Sequence, residues 1–171
     1  MIVDNSLFQL INGFALRYFF LDAAGIFLGY YFPYVLVVSL ILFLIWDFKK
    51  YWKVVLGGLI SAGLGWVIVE LVRRLFFVAR PFVSGQVNLL LPHLATSSFP
   101  SGHATFFFAL SFFLFFHNKK AGTVFLVLSF LIGLARVFSG LHWPSDIFGG
   151  LIFGLVAAFI IKEVFRHSLV C

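Results

Sequence analysis

The feature that most constrains this chain is a series of apolar runs long enough to cross a bilayer. Residues 23–46 carry no charged side chain. At about 1.5 Å per residue, a helix of that length spans a hydrocarbon core of ~30 Å. Further apolar runs follow at 54–72, 102–116, 121–134 and 147–161, the first broken only by Glu70 near its end. Backbone amides inside lipid must bond to one another, so such runs fold as helices. The expected fold is all-α: an integral membrane bundle of five to six transmembrane helices with an N-terminal amphipathic helix. Composition agrees, with 63% of residues hydrophobic, 11% charged and 26 Phe to furnish lipid-facing surface. Neither a repeat nor a low-complexity segment divides the chain, so residues 1–171 read as one membrane domain.

The N-terminal stretch is less regular. Residues 6–21 mix apolar side chains with Gln9, Asn12 and Arg17 and end at Asp22. They read as an amphipathic helix on the membrane surface, which makes 1–22 an interfacial element. Pro33 interrupts the following run. Either that span is kinked, or it begins at Pro33 after a separate short helix. A sixth span within residues 6–31 stays open. Residues 1–6 lack a basic stretch and contain Asp4, so no cleavable signal is expected. The single Cys171 offers neither a disulfide nor a metal cluster.

The net charge of +6 is informative by its location. If each run crosses once, Lys49, Lys50, Lys53, Lys119, Lys120, Lys162 and Arg166 fall on one side. The positive-inside rule makes that side cytoplasmic. The basic excess is therefore a membrane-boundary feature, and no nucleic acid partner is expected. The opposite side collects Arg73, Arg74, Arg80, His93, His103, Arg136, His142 and Asp146. All the candidate chemistry thus faces one way.

Phe99-Pro100-Ser101-Gly102-His103 stands where a membrane-length helix begins. A helix N-terminus presents unpaired N–H groups and a positive dipole end, so it favours anions. Ser101 suits the capping position, Gly102 admits an anion close to the backbone, and His103 can move a proton. Arg73, Arg80 and Arg136 add three planar cations suited to phosphate, each able to donate paired hydrogen bonds. A bound polyanion accounts for gathering so much positive charge at a membrane boundary. His142 and Asp146 are separated by Pro144, which fits the first position of a helix. Asp146 then lies in the first turn, where it can hold one imidazole nitrogen of His142 and leave the other for substrate. His142 is the nucleophile candidate and His103 a separate proton donor.

Three segments carry these groups: Arg73-x6-Arg80-Pro81, Pro100-Ser101-Gly102-His103 and Arg136-x5-His142-x3-Asp146. Together they closely resemble the three-part signature of the type 2 phosphatidic acid phosphatase superfamily. The resemblance covers 73–146 directly, and the flanking spans fit that family's helical bundle. It departs at two positions: the family usually has Lys where Arg73 stands and Ser where Ala135 stands. The resemblance implies that His142 attacks phosphorus and forms a phosphohistidine while Asp146 orients it. It further implies that His103 protonates the leaving oxygen and that Arg73, Arg80, Arg136, Ser101 and Gly102 hold the other oxygens. No metal or other cofactor is expected, because the arginines supply the positive charge and the acidic residues are too few and too scattered for a two-metal site.

The implied function is a lipid phosphatase on the extracytoplasmic face of a bacterial inner membrane, with the substrate tail entering between helices. The N-terminal stretch resembles short bacterial members acting on undecaprenyl diphosphate, the favoured substrate. Lipid A 1-phosphate and phosphatidylglycerophosphate compete with it. No obligate protein partner is expected. A vanadate-dependent haloperoxidase would share the anion signature but not the membrane composition. A lipid-phosphate transporter would need a polar path through the spans, which hold few ionisable residues.

Other polar and aromatic residues have simpler readings. Glu70 pairs with a neighbouring arginine one turn away, and Arg74 faces a headgroup or the interface. His117 and His167 are span-end polar residues, and Tyr30, Tyr31 and Trp143 are interfacial aromatics. Gly57, Gly58, Gly149 and Gly150 permit close helix contacts. Gln86, Asn88 and His93 read either as headgroup contacts or as ordinary loop polarity. A metal-free site predicts that phosphate release from a lipid phosphate survives EDTA undiminished; its loss on chelation would contradict that reading.

Overall fold

The computed structural model describes residues 2–85 and 87–166, so Gln86, His167 and Cys171 lie outside the described residues. Among those residues every regular element is helical: α1 (Ile2–Asn12), α2 (Phe19–Ile26), α3 (Phe32–Trp46), α4 (Phe48–Leu75), α5 (Pro81–Ser84), α6 (Gly102–His117), α7 (Lys119–Phe138) and α8 (Pro144–Arg166). A single π turn, Phe27–Tyr31, joins α2 to α3 without a break. Four stretches are long and apolar enough to cross a membrane: Phe19–Trp46, Phe48–Leu75, Lys119–Phe138 and Pro144–Arg166. Helix α6 is the shorter fifth. The molecule is a membrane helical bundle.

Helix α6 sits at its centre, packed by α4, α7 and α8. Its apolar residues run all the way round, and ten of the helix's sixteen residues are buried. Such a helix belongs in an interior rather than on a face. Close approach is achieved by glycines on the three surrounding helices. A Cβ on Gly57 would fall 2.2 Å from the Phe113 ring, one on Gly150 2.6 Å from the Ala104 Cβ, and one on Gly122 2.1 Å from the Phe115 Cα. Gly149 abuts Phe99 in the same way. Gly57, Gly149 and Gly150 thus serve close contact, as expected, and Gly122 does the same.

The ends of the spans differ from the charge-delimited runs. Helix α4 continues through Arg73, and α7 through Arg136, before either stops. A buried arginine does not end a helix when its side chain finds partners, so both guanidinium groups are carried on rigid helix ends. Pro33 neither breaks the first span nor starts it: the helix runs through it by way of the π turn. Tyr30 and Tyr31 are consequently inside this span rather than at its end.

The N-terminus departs most from expectation. Residues 6–21 are not one helix. Helix α1 stops at Asn12, a turn with Leu16 at φ 62° follows, and residues 19–22 already belong to the first span. Asp22 secures that turn by accepting from the Leu16 N–H at 2.9 Å. Nor does α1 merely lie on lipid. Phe8 and Asn12 are buried. Asp4 accepts from the Ser145 N–H and O–H at 2.9 and 2.7 Å, at the start of α8. The Asn12 amide donates to the Asn88 and Phe138 carbonyls, both at 2.8 Å, and accepts from the Asn88 N–H. Asn88 is thereby a structural fastener and not a headgroup reader. Trp143, expected at the interface, packs on Phe8 at 5.0 Å and donates its indole N–H to the Ala79 carbonyl.

The glycine contacts make a stability prediction. Gly122→Ala should destabilise the bundle by about 1–3 kcal/mol, because backbone rather than a movable side chain blocks the new methyl. Gly63→Ala, whose Cβ would meet nothing within 4 Å, should cost nothing. Thermal unfolding in detergent compares the two.

Candidate active site

The α7–α8 connection places His142. Helix α7 ends with Gly140 in the left-handed region at φ +80°, where a glycine closes a helix without a Cβ penalty. The Leu141 N–H then bonds back to the Arg136 carbonyl at 3.1 Å, and α8 begins at Pro144. His142 lies in the two-sided grip this creates. Its Nδ1 is 3.1 Å from Asp146 Oδ2. The carboxylate fixes the tautomer, so Nδ1 carries the proton and Nε2 presents its lone pair. The same Oδ2 accepts from the Trp143 N–H at 2.8 Å and from the Ser98 hydroxyl.

Arg80 meets the lone pair. Its Nη1 is 3.3 Å from His142 Nε2 and donates to the Leu141 carbonyl at 3.0 Å. Its Nε donates to the Thr96 carbonyl, and Nη2 to Thr96 Oγ1 and the Ser97 carbonyl. All five N–H groups of this buried side chain are therefore engaged by the protein. Burial, and then the neighbouring Arg73 charge, push Arg80 down to about 10, so it remains a cation at neutral pH. Burial first, then Arg136, Arg80 and Arg73, hold His142 well below the ordinary histidine value. A neutral imidazole with a lone pair on Nε2 is the form a nucleophile needs.

Arg73 and Arg136 are arranged otherwise. Arg73 Nη2 donates to the Pro100 carbonyl at 2.9 Å, and Nη1 pairs with Glu70 at 3.7 Å, the ion pair expected from their spacing. Arg136 Nη1 donates to the Gly29 carbonyl at 3.2 Å. The Nε of each is buried and has no hydrogen-bond partner among the described residues. These two arginines keep donor capacity that Arg80 does not.

The second motif closes the site. Ser101 caps α6, its Oγ accepting from the Ala104 N–H, while its own N–H donates to the Asp146 carbonyl at 3.1 Å. A Cβ on Gly102 would point toward Arg73 Nη2, 3.7 Å away, and toward the Trp66 ring. The glycine leaves that space to whatever Arg73 binds. His103 opens onto a cleft of about 180 Å³ lined by Pro33, Tyr34, Val37, Trp66, Phe106 and Phe107. The bundle brings all eight residues singled out in the sequence to one end. His93, read from the sequence as lying on the same side, is in the field of the three arginines and is lowered mainly by burial. Arg74 is exposed beside them.

Ser98 was missed, as were Thr96 and Ser97. The signal was a run of three hydroxyl residues directly ahead of the Phe99–His103 stretch. Among the described residues no group of three or more His, Cys, Asp or Glu is placed to hold a metal ion.

A membrane bundle that gathers a carboxylate-held histidine and three arginines at one end has the groups a membrane phosphatase would use. A family model described as PAP2 superfamily matches residues 50–168, and the chain belongs to that superfamily, as a lipid phosphatase of the PAP2 type. It is 34% identical to undecaprenyl-diphosphatase BcrC of Bacillus subtilis over 168 residues, 97% of this chain and 84% of the relative. It is 40% identical to a lipid A 1-phosphatase of Rhizobium johnstonii over 78 residues, 44% of this chain and 31% of the relative. Among solved structures, Aquifex aeolicus LpxE superposes with a TM-score of 0.80 at 31% identity, covering 94% of this chain and 95% of that one.

Ser98→Ala should lower kcat about tenfold, since a buried bond to a carboxylate contributes on the order of 1.5 kcal/mol, while leaving the protein folded. Histidine NMR should find the His142 ring protonating at lower pH than an ordinary histidine, because burial and the three arginines disfavour its charged form.

Proposed function

We propose that the chain hydrolyses a lipid diphosphate, with undecaprenyl diphosphate favoured, through a phosphohistidine and without a metal. The observation that carries this is the neutral His142, bound through Nδ1 to Asp146 and presenting Nε2 among the arginines. Nε2 attacks the terminal phosphorus as the P–O bond to the lipid monophosphate breaks. His103 supplies the proton the departing oxygen takes. Water then attacks the phosphohistidine, giving its proton to His103, and inorganic phosphate leaves with His142 restored. Arg73 and Arg136 stabilise the oxygens through the donors they hold free, joined by Gly102 and the helix end that Ser101 caps. Arg80 transfers its Nη1 contact from Nε2 to phosphate as the lone pair engages phosphorus.

The cleft at His103 supports a lipid substrate. It is lined by aromatic and apolar side chains of α3, α4 and α6, so a tail can lie in it while the phosphate sits among the arginines. The likeness to an undecaprenyl-diphosphatase along almost the whole chain supports the diphosphate reading. The shorter stretch shared with a lipid A 1-phosphatase favours lipid A 1-phosphate as the second reading. With the basic ends of α4, α7 and α8 facing the cytoplasm of a bacterial inner membrane, the whole chain acts as one domain whose site opens on the outer face.

Purified protein should release phosphate from undecaprenyl diphosphate in preference to lipid A and phosphatidylglycerophosphate. His142→Ala should abolish release yet still bind inorganic phosphate. Lipid movement across vesicles undiminished in that variant would point to transport instead.

A further inference from the structure

We infer that Pro33 and Gly29, in the first span, are positioning residues for Arg136; this rests on the phosphatase reading of the site. In a regular helix the N–H of residue 33 would bond to the carbonyl of residue 29. Proline has no N–H to give. A carbonyl left without that donor inside a membrane is costly unless another donor reaches it. The donor here is Arg136 Nη1, from α7, at 3.2 Å.

The surrounding geometry is built for this contact. The π turn Phe27–Tyr31, where the Phe32 N–H reaches back to the Phe27 carbonyl, lies immediately before Pro33. Such bulges absorb a proline's disruption and recur at functional sites. Gly29 faces Ala135, the residue before Arg136: a Cβ on Gly29 would lie 3.5 Å from the Ala135 Cβ and 3.7 Å from its carbonyl oxygen. One turn earlier, a Cβ on Gly25 would fall 2.6 Å from the Phe138 ring. Small residues thus let the first span approach α7 closely enough for backbone to meet guanidinium. Holding Nη1 fixes the plane of the fork and leaves Nε, buried and without a partner among the described residues, directed elsewhere. Arg136 needs this second-element support because its own helix end offers it no bond among those described. Gly29 and Pro33 precede residues 50–168, so they lie outside the stretch that the family model matches.

The device is conformational: Pro33 offers the Gly29 carbonyl no i+4 donor, Gly29 and Ala135 keep that carbonyl near, and Arg136 is held in the orientation that receives phosphate. Pro33→Ala restores an N–H that competes for the Gly29 carbonyl. Ala135→Val separates the same contact from the other helix.

The experiment measures inorganic phosphate binding by titration calorimetry, together with KM and kcat for a lipid diphosphate. Pro33→Ala should weaken phosphate binding about tenfold and raise KM in proportion, with the thermal midpoint kept. In the Arg136→Gln background the same substitution should change phosphate binding less than twofold. Phosphate binding unchanged by Pro33→Ala, or a tenfold loss repeated in full without Arg136, overturns the inference. If Pro33→Ala does not fold, Ala135→Val carries the same cycle with the same two criteria. Failure of the wild-type protein to release phosphate from any lipid would instead sink the phosphatase reading, because phosphate binding still reports on Arg136.

Discussion

One buried carboxylate oxygen organises the active end of this bundle. Asp146 Oδ2 receives the Ser98 hydroxyl, the Trp143 N–H and the His142 Nδ1. The backbone carbonyl of the same residue receives the Ser101 N–H. A single residue in the first turn of α8 therefore fastens the segment leading into α6 to the turn leaving α7. In so buried a place an unmatched charge would be severely penalised. Donors converging on one oxygen make that charge tolerable and fix the ring that it faces.

The three arginines divide the remaining labour. Arg80 is a builder: its five bonds join the 96–97 segment to Leu141 and hold the imidazole lone pair in place. Arg73 and Arg136 are each tied by one bond to a backbone carbonyl and keep donors in reserve. Charge alone does not distinguish these roles, since all three look equivalent as phosphate ligands in the sequence. Their distinction comes from which backbone carbonyls the fold has left within reach.

The sequence made much of the candidate site legible, because the motif residues it pointed to are brought together at one end of the bundle. Pro144 forecast where α8 starts, and hence that Asp146 would lie one turn from His142. Other parts were silent for physical reasons. Helix α6 is apolar on every side, so no periodicity reveals that it is the central one. Ser98 looked like ordinary loop polarity, because a hydroxyl gains its meaning only from the partner that it meets. Asn12 and Asn88 are separated by 76 residues, and no local rule pairs two amides across that distance. Runs delimited by charge stopped too early at Arg73 and Arg136, since a helix ends where its backbone bonds end and not where a charge appears.

Helix α1 has bearing on how the protein is made. The chain's first helix is fastened to Asn88, Phe138, Trp143 and Ser145, all of which emerge from the ribosome much later. Until α7 and α8 are inserted, its buried asparagine lacks the Phe138 carbonyl and its buried phenylalanine lacks the Trp143 ring. The leading segment can therefore complete its docking only after the final span has been inserted. A product lacking the final span would leave Asp4 without its Ser145 donors and the first helix only partly fastened.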